Sequence, residues 1–507
     1  MKTTCVAIAA SLALAASTDV HQRKSALAFE ATKPFNPIVL KGQRMFEYET
    51  GKPFQAKGVD YYPRPNTGLL DLNNLDFFTD DLEAIWLPHI AEFTALGINT
   101  IRLYAIDPSK PHDKFMCALS AAGIYVLVDL GASCEGCAIT AEPFPTCYPA
   151  ALKTRGQQII TAFAKYNNVL AFSAGNEVNH VVKDPTINGP CQKKFIRDMR
   201  AFIHSCSANM RPIPVGVVLA DTNRSPNALY YNCRTDPKDT LENAEWYGIN
   251  VYLQCDPKAT AGTVGASFAQ LHKDFQSYKL AGPTMLTEFG CLNKAFPTVE
   301  GYDAQRSWVQ ASWLLSKDFA DVFTGGFAFE FSTENANSKA DAPYPFTSYG
   351  AQNYGLGYFS PATCDHATTP CIFNRMPNFE SLAKAYKGAS AVLPAMSEYT
   401  PTVTTPPACP KEFSSLKDSV WAADEVTDML CPDLTQTTMC PGHAIIRGKP
   451  TLQTDSNATD TTIVPPTKTK MPTTGSSTGA PKLAANHADA ATMTLGVVVA
   501  AALALHL

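Results

Sequence analysis

Eight short runs rich in apolar and β-branched residues, each too short for a helix, recur between residues 55 and 331. They read 55–62 (QAKGVDYY), 99–104 (NTIRLY), 124–130 (IYVLVDL), 169–177 (VLAFSAGNE), 213–219 (IPVGVVL), 246–252 (WYGINVY), 284–289 (TMLTEF) and 326–331 (GFAFEF). Helical spacing fills intervals between them. From residue 74 onward, Ile85, Trp86, Ile90, Phe93 and Leu96 make one buried stripe, closed by Gly97 as helix C-caps commonly are. Further helical pieces cover 113–122, ended by Gly123, and 152–166, and another carries Phe195, Met199 and Phe202. Strands alternating with helices in this way predict a parallel sheet covered by helices. Eight strands in about 280 residues is the count and size of a closed α/β (β/α)8 TIM barrel. An open doubly wound sheet is the alternative, but no Gly-rich phosphate loop supports it.

A barrel also fixes where chemistry collects, because polar residues at strand C-termini converge on one mouth. Tyr61, Tyr104, Asp129, Asn176, Glu177, Tyr252 and Glu288 all stand at such ends. A carboxylate placed straight after a buried strand is held at the rim of a rigid sheet. Either glutamate alone reads equally as a salt-bridged strand end. Two of them are what a retaining glycosidase needs, one as acid/base and one as nucleophile. The nucleophile must stay ionised, while burial and the neighbouring charge keep the acid/base protonated. Tyr252 is placed to orient a nucleophile at Glu288, and Asn176 to bind a sugar 2-hydroxyl. Tyr104, Tyr252, Phe329 and Phe331 offer faces for sugar rings, with core packing the competing reading for the two phenylalanines.

The rest of the chain bounds the setting. It has 507 residues and a formal charge of -5, with no basic field, which argues against a nucleic-acid partner. Fifteen cysteines point to an oxidising compartment. Residues 1–17 have the charge, apolar core and small-residue site of a secretory signal, and 18–34 form a short N-terminal segment. The catalytic domain is expected over 35–390, followed by a cysteine-containing linker segment, 391–448, with Cys409, Cys431 and Cys440. Residues 449–480 are rich in Thr, Ser and Pro and read as an extended, mostly disordered stalk. Residues 481–507 end in an apolar tail that matches a GPI-attachment signal, with a transmembrane anchor as the alternative. The expectation is a protein tethered to the outer leaflet of the plasma membrane. Asn223 and Asn457 head glycosylation sequons. Cys134 and Cys137 form a CxxC, for which a disulfide is favoured over redox or zinc chemistry in an exported chain. No metal and no cofactor are expected.

The motifs GVDYYP, NTIRLYAIDP, IYVLVDL, AGNEVN, YGINVY, TEFGC and GGFAFEF, in that order, resemble the glycoside hydrolase family 72 β-1,3-glucanosyltransferases. The resemblance runs from about residue 35 to 387. It implies a retaining barrel enzyme, GPI-anchored at the cell wall, that cuts inside a β-1,3-glucan donor and passes the new reducing end to the non-reducing end of an acceptor glucan. It also implies Glu177 as acid/base, Glu288 as nucleophile, Tyr104 and Asn176 as donor contacts, and Tyr252 as support for the nucleophile. Asp60 and Tyr62 replace the Ala and Gln usual in the first motif, and Phe329 replaces a Tyr. Asp221 and Arg224 are the nearest equivalents of an acceptor-side Asp–Arg group. The family pattern suggests Cys255 with Cys291, and Cys233 with Cys364 or Cys371. Cys117 lacks its usual partner, leaving Cys134, Cys137 and Cys147 as candidates. No cysteine-rich glucan-binding module is recognisable after the barrel. Hydrolysis by an endo-β-1,3-glucanase and a non-catalytic glucan-binding wall protein are the competing functions.

Overall fold

The computed structural model describes residues 35–440 apart from 68–73, 183–185, 254–258, 261–262, 292–300, 303–305, 307, 335–343, 345–353, 389–390 and 435–439. The expected signal, stalk and tail, and Asn457, therefore lie outside the described residues.

Eight parallel strands close into a barrel: β4 (Ala56–Asp60), β5 (Thr100–Leu103), β6 (Tyr125–Asp129), β7 (Val169–Asn176), β8 (Val215–Ala220), β9 (Tyr247–Val251), β10 (Thr284–Phe289) and β11 (Phe323–Ala328). Every strand pairs with its neighbour in sequence, and β11 closes on β4. Each of the eight apolar runs contributes one strand. Helices α1 (Glu83–Leu96), α2 (Asp113–Ala121), α3 (Ala150–Phe163), α4 (Gly189–Ser205), α5 (Arg224–Asn232), α6 (Ala266–Tyr278) and α7 (Val309–Leu314) fall between strands. Gly97 caps α1 at φ 77°, a conformation that favours glycine, and its N–H donates to Phe93 O.

Alternation along each strand divides the core in two. On β6, Val126 and Val128 pack outward against the helices, whereas Tyr125 and Leu127 join an interior cluster with Trp246, Met285 and Phe327. Glycines make room for the large interior rings: a Cβ at Gly216 would lie 2.3 Å from the Trp246 indole. A feature unforeseen in the sequence closes the floor. β1 (Ile38–Lys41), β2 (Arg44–Glu47) and β3 (Pro53–Phe54) form an antiparallel sheet whose Ile38, Leu40, Met45 and Phe54 extend the interior cluster. A hairpin of β12 (Gly357–Ser360) and β13 (Ile372–Arg375) and helix α8 (Pro377–Gly388) complete the domain.

The described part of the segment expected as a linker, residues 391–434 and 440, is a strap packed on the outside of the barrel. Gln43 of the loop between β1 and β2 donates to Val403 O, and Cys409 N–H donates to Arg234 O. Trp421 is buried, and Lys194 and Lys153 of α4 and α3 bond Asp424 and Val426 O. Three disulfides fasten the strap: Cys233–Cys409, Cys206–Cys431 and Cys117–Cys440. These pairings replace two expectations. Cys233 does not reach Cys364 or Cys371, which bond each other across the hairpin. Cys117 does not bond Cys134, Cys137 or Cys147, since Cys134 pairs with Cys137 and Cys147 with Cys191. Cys291 is also disulfide-bonded, while Cys255, its expected partner, lies outside the described residues.

Loop-closure entropy ranks these bonds. Cys206–Cys431 spans 225 residues and Cys364–Cys371 only 7. Replacing both cysteines by serine should cost about 5 kcal/mol for the long loop and about 2 kcal/mol for the short one. Denaturant unfolding of the two double variants checks this, and equal losses would contradict it.

Candidate active site

The interior of the barrel turns from apolar to charged at the C-terminal ends of the strands. Its centre is Arg102 on β5, which is 0% exposed. The guanidinium donates to Asp129 through Nη2 at 2.9 Å and Nε at 3.4 Å. Nη2 also donates to Asn176 Oδ1 at 2.9 Å, and Nη1 to Glu288 Oε1 at 3.1 Å. A strand-borne cation with every branch held is as fixed as side chains become.

Glu288 lies at the end of β10. Besides Arg102 it accepts from Tyr104 Oη at 2.9 Å on Oε1 and from Tyr252 Oη at 2.6 Å on Oε2. Strict alternation from outward-packed Leu286 would turn Glu288 outward as well. A register irregularity on β10 between Leu286 and Glu288 re-aims it. Glu177 depends on a similar device, a register irregularity on β7 between Ser173 and Asn176. Its own φ of 51° then bends the chain away from the strand. Glu177 Oε1 accepts from Asn250 Nδ2 at 2.9 Å, and the same amide donates to Asn176 Oδ1 at 3.1 Å. Thr287 fixes that amide's orientation by donating to Asn250 Oδ1 at 2.8 Å. One chain of bonds thus runs Glu288–Arg102–Asn176–Asn250–Glu177.

The carboxyls differ in electrostatics. Burial pushes Glu288 up to about 7, a rise that Arg102 opposes, the Glu177 charge reinforces and the two tyrosine hydroxyls oppose. Burial also raises Glu177, with the Asn250 bond and Arg102 opposing. Such neighbours titrate as a pair. Glu288 receives hydrogen-bond donors on both oxygens and is arranged as an anion. Glu177 has one oxygen held, and Oε2 has no bond among the described residues. When the pair holds one proton, it belongs on Glu177.

Other residues singled out in the sequence fall in three places. Tyr252 and Phe329 form an aromatic wall with Tyr354, their ring centroids 5.4 to 6.0 Å apart. Asp129 sits behind Arg102 and is buried, so it braces the guanidinium rather than facing a ligand. Tyr61 turns away from the mouth: it is buried among Phe78, Phe93 and Phe331 and bonds His89 Nδ1 at 2.7 Å. Phe331 likewise belongs to the core, stacked on Phe373. Tyr62 is buried too, donating to Leu75 O at 2.7 Å. Asp221 and Arg224 pair with each other, and Arg224 also bonds Asp274 of α6. Asn223 is exposed at the start of α5. Sequence reasoning missed Arg102, Asn250, Thr287 and Tyr354. A lone arginine inside the apolar run NTIRLY was the available signal for the first.

The glucanosyltransferase family profile matches residues 27–339. The chain is 36% identical over 310 residues to the 1,3-beta-glucanosyltransferase gas4 of Schizosaccharomyces pombe, covering 60% of this chain and 62% of that relative. It is 32% identical over 392 residues to the 1,3-beta-glucanosyltransferase gel1 of Aspergillus fumigatus, covering 76% of this chain and 72% of that relative. Just under two thirds of the first relative's length is thus represented. Saccharomyces cerevisiae Gas2p, solved in complex with laminaripentaose, superposes with a TM-score of 0.57 at 28% identity over 74% of each chain.

Removing Arg102 tests the centre of this arrangement. Arg102→Met leaves the buried carboxyls of Asp129 and Glu288 without their shared cation and should cost about 3–5 kcal/mol in denaturant unfolding. Adding Asp129→Asn should recover part of that loss, and a single-variant loss below about 1 kcal/mol would contradict the assignment.

Proposed function

The chain belongs to the glycoside hydrolase family 72 glucanosyltransferases, and we propose that it is a retaining β-1,3-glucan transglycosylase with Glu288 as nucleophile and Glu177 as acid/base. The observation that carries this reading is the unequal solvation of the two carboxyls. Glu288 is bound by one guanidinium and two phenol hydroxyls, whereas Glu177 keeps an open oxygen. Oε of Glu288 attacks the anomeric carbon from one face while Glu177 gives its proton to the departing glycosidic oxygen. The leaving fragment departs with that proton, and the retained fragment stays as a glycosyl ester. Glu177, now ionised, takes a proton from the incoming acceptor hydroxyl, whose oxygen displaces Glu288.

Substrate recognition follows the same geometry. Asn176 is exposed at the mouth, with its amide oxygen held by Arg102 and Asn250, which leaves its amide N–H groups for a sugar hydroxyl. The wall of Tyr252, Phe329 and Tyr354 supplies apolar faces suited to sugar rings. Laminaripentaose, the ligand of the Gas2p complex, is the oligosaccharide class this reading assigns as donor and acceptor. Disulfides such as Cys206–Cys431 and Cys147–Cys191 support an exported location. Within that location we place the chain at the cell wall, GPI-anchored as its apolar tail suggests. Among the described residues no helix is long and apolar enough to cross a membrane.

Two measurements test the reading. Incubation with a reduced laminari-oligosaccharide should give products longer than the substrate; exclusively shorter products would mean hydrolysis, and unchanged substrate a binding protein. Glu288→Gln and Glu177→Gln should each lower the transfer rate by at least about 100-fold. The second variant also reads the electrostatics. A donor with a good aryl leaving group needs little acid help, so Glu177→Gln should still form the ester from it. With the shared proton on Glu177, glutamine stands in for its neutral form, so the acidic limb of that reaction, set by Glu288, should stay in place while the basic limb disappears. An acidic limb that moves to lower pH would mean that Glu177 is ionised when Glu288 titrates and would refute this placement of the proton.

A further inference from the structure

Behind the nucleophile lies a carboxyl that the mechanism above does not use. Asp60, at the end of β4, is 1% exposed, and neither of its oxygens accepts a hydrogen bond among the described residues. Its nearest cation is Arg102, with Nη1 3.9 Å from Oδ1. That same Nη1 is committed to Glu288 at 3.1 Å. Tyr104, the hydroxyl that bears on Asp60, gives its single proton to Glu288 as well. Tyr252, Glu330 and Tyr386 also face Asp60, and none supplies a positive charge. Asp60 and Glu288 thus compete for one guanidinium and one hydroxyl, and Glu288 holds both.

A buried carboxylate without donors, next to a second carboxylate, is costly, and it lowers that cost by keeping its proton. Burial, with Glu288 and Glu330 adding to it, holds Asp60 well above the usual carboxylate range against the pull of Arg102 and of the Tyr104 hydroxyl. The competition changes when Glu288 becomes an ester. The negative charge beside Arg102 Nη1 disappears, and the Tyr104 hydroxyl loses its anionic acceptor. After Asp129, which is already paired with it, Asp60 then has the nearest carboxyl to an under-compensated buried cation.

We propose that Asp60 is a positioning residue that exchanges charge with Glu288: protonated while Glu288 is ionised, and ionised while Glu288 carries the glycosyl group. This inference rests on the assignment of Glu288 as nucleophile. In the first step the glycosidic C1–O bond breaks, the Glu288–C1 bond forms, and the leaving oxygen takes the Glu177 proton. Asp60 releases its proton to solvent by way of Tyr104. In the second step the acceptor oxygen bonds C1, the ester bond breaks, and Glu177 takes the acceptor's proton. Asp60 then regains a proton from solvent. Arg102 faces Asp129 and one further carboxylate throughout, so its surroundings keep a constant charge across the cycle.

Trapping the ester tests this. An activated 2-deoxy-2-fluoro laminaribiosyl fluoride should label the protein, read by intact mass and peptide mapping. The infrared difference spectrum between labelled and free protein is then compared for the wild type, Asp60→Asn and Glu330→Gln. Besides adding the ester C=O, labelling of the wild type and of Glu330→Gln should abolish two protonated-carboxyl C=O bands, those of Glu177 and Asp60, and raise the carboxylate signal by one group, because two carboxylates form where Glu288 is lost. In Asp60→Asn, labelling should abolish only the Glu177 band, with no net change in carboxylate signal. Labelling at Glu288 with identical difference spectra in wild type and Asp60→Asn would overturn the charge exchange alone. Labelling elsewhere, or none, would overturn the nucleophile assignment and this inference with it. Asp60→Asn keeps the volume of the side chain, and labelling of the variant itself reports that it is folded.

Discussion

The site hangs on a single guanidinium buried inside the barrel. Arg102 reaches Asp129, Asn176, Glu288 and Tyr104 from one β-strand position, touching the ends of β6, β7 and β10. Desolvating an arginine and several carboxyls costs several kcal/mol per ion, so this cluster is weak evidence of stability. What it supplies is orientation. Without a cation at its side Glu288 would be a buried neutral acid, since burial already raises it to about 7 with Arg102 present. Asn176 would lose one of two donors fixing its amide, and through Asn250 the position of Glu177 would loosen too. Thr287 and Asp129 have no ligand to touch; they hold Asn250 and Arg102, which in turn fix Glu177, Asn176 and Glu288.

The strands were legible because a parallel barrel buries both faces of each one. Runs such as IYVLVDL and YGINVY stand out against helices whose apolar residues recur at wider spacing. Gly97 and Gly123 marked joins for the same reason, as both take positive φ after a helix. The N-terminal sheet was not legible. Its strands are two to four residues long and draw their stability from plugging the barrel floor. The strap escaped notice for a related reason. Its composition gives no core of its own, and Trp421 and Leu416 are buried only because the strap borrows the outer surfaces of α3 and α4. Disulfide partners separated by 176, 225 and 323 residues carry no local signal at all.

Within the site, the two glutamates were found in the sequence and their supporting groups were not. Position at a strand's end was enough to nominate Glu177 and Glu288, but period-2 alternation could not say which way either points. Tyr61 shows the hazard. It ends a strand as they do, yet it lies directly after inward-facing Asp60 and turns to the aromatic layer under α1. Glu288 escapes the same outcome only through the irregularity on β10, and Glu177 through the one on β7. A shift of one residue exchanges the faces of a strand. The chemistry therefore depends on two local breaks in the regularity by which the barrel was recognised.

Those breaks are tolerable because of what lies beneath them. The interior cluster under the charged layer is apolar and contiguous, from Ile38 and Leu40 at the floor through Leu127, Trp246, Met285 and Phe327. It anchors the strands independently of their C-terminal ends. It also places a weakly polarisable medium directly below Arg102, where charge–charge interactions are stronger than in water. Outside, the strap and its disulfides tie α2, α4 and α5 together, far along the chain from the loops of the mouth. The order of the barrel is thus secured from its floor and its flank. That leaves the mouth free to hold misregistered strand ends, half-exposed aromatics and like-charged carboxyls, none of which would favour folding by itself.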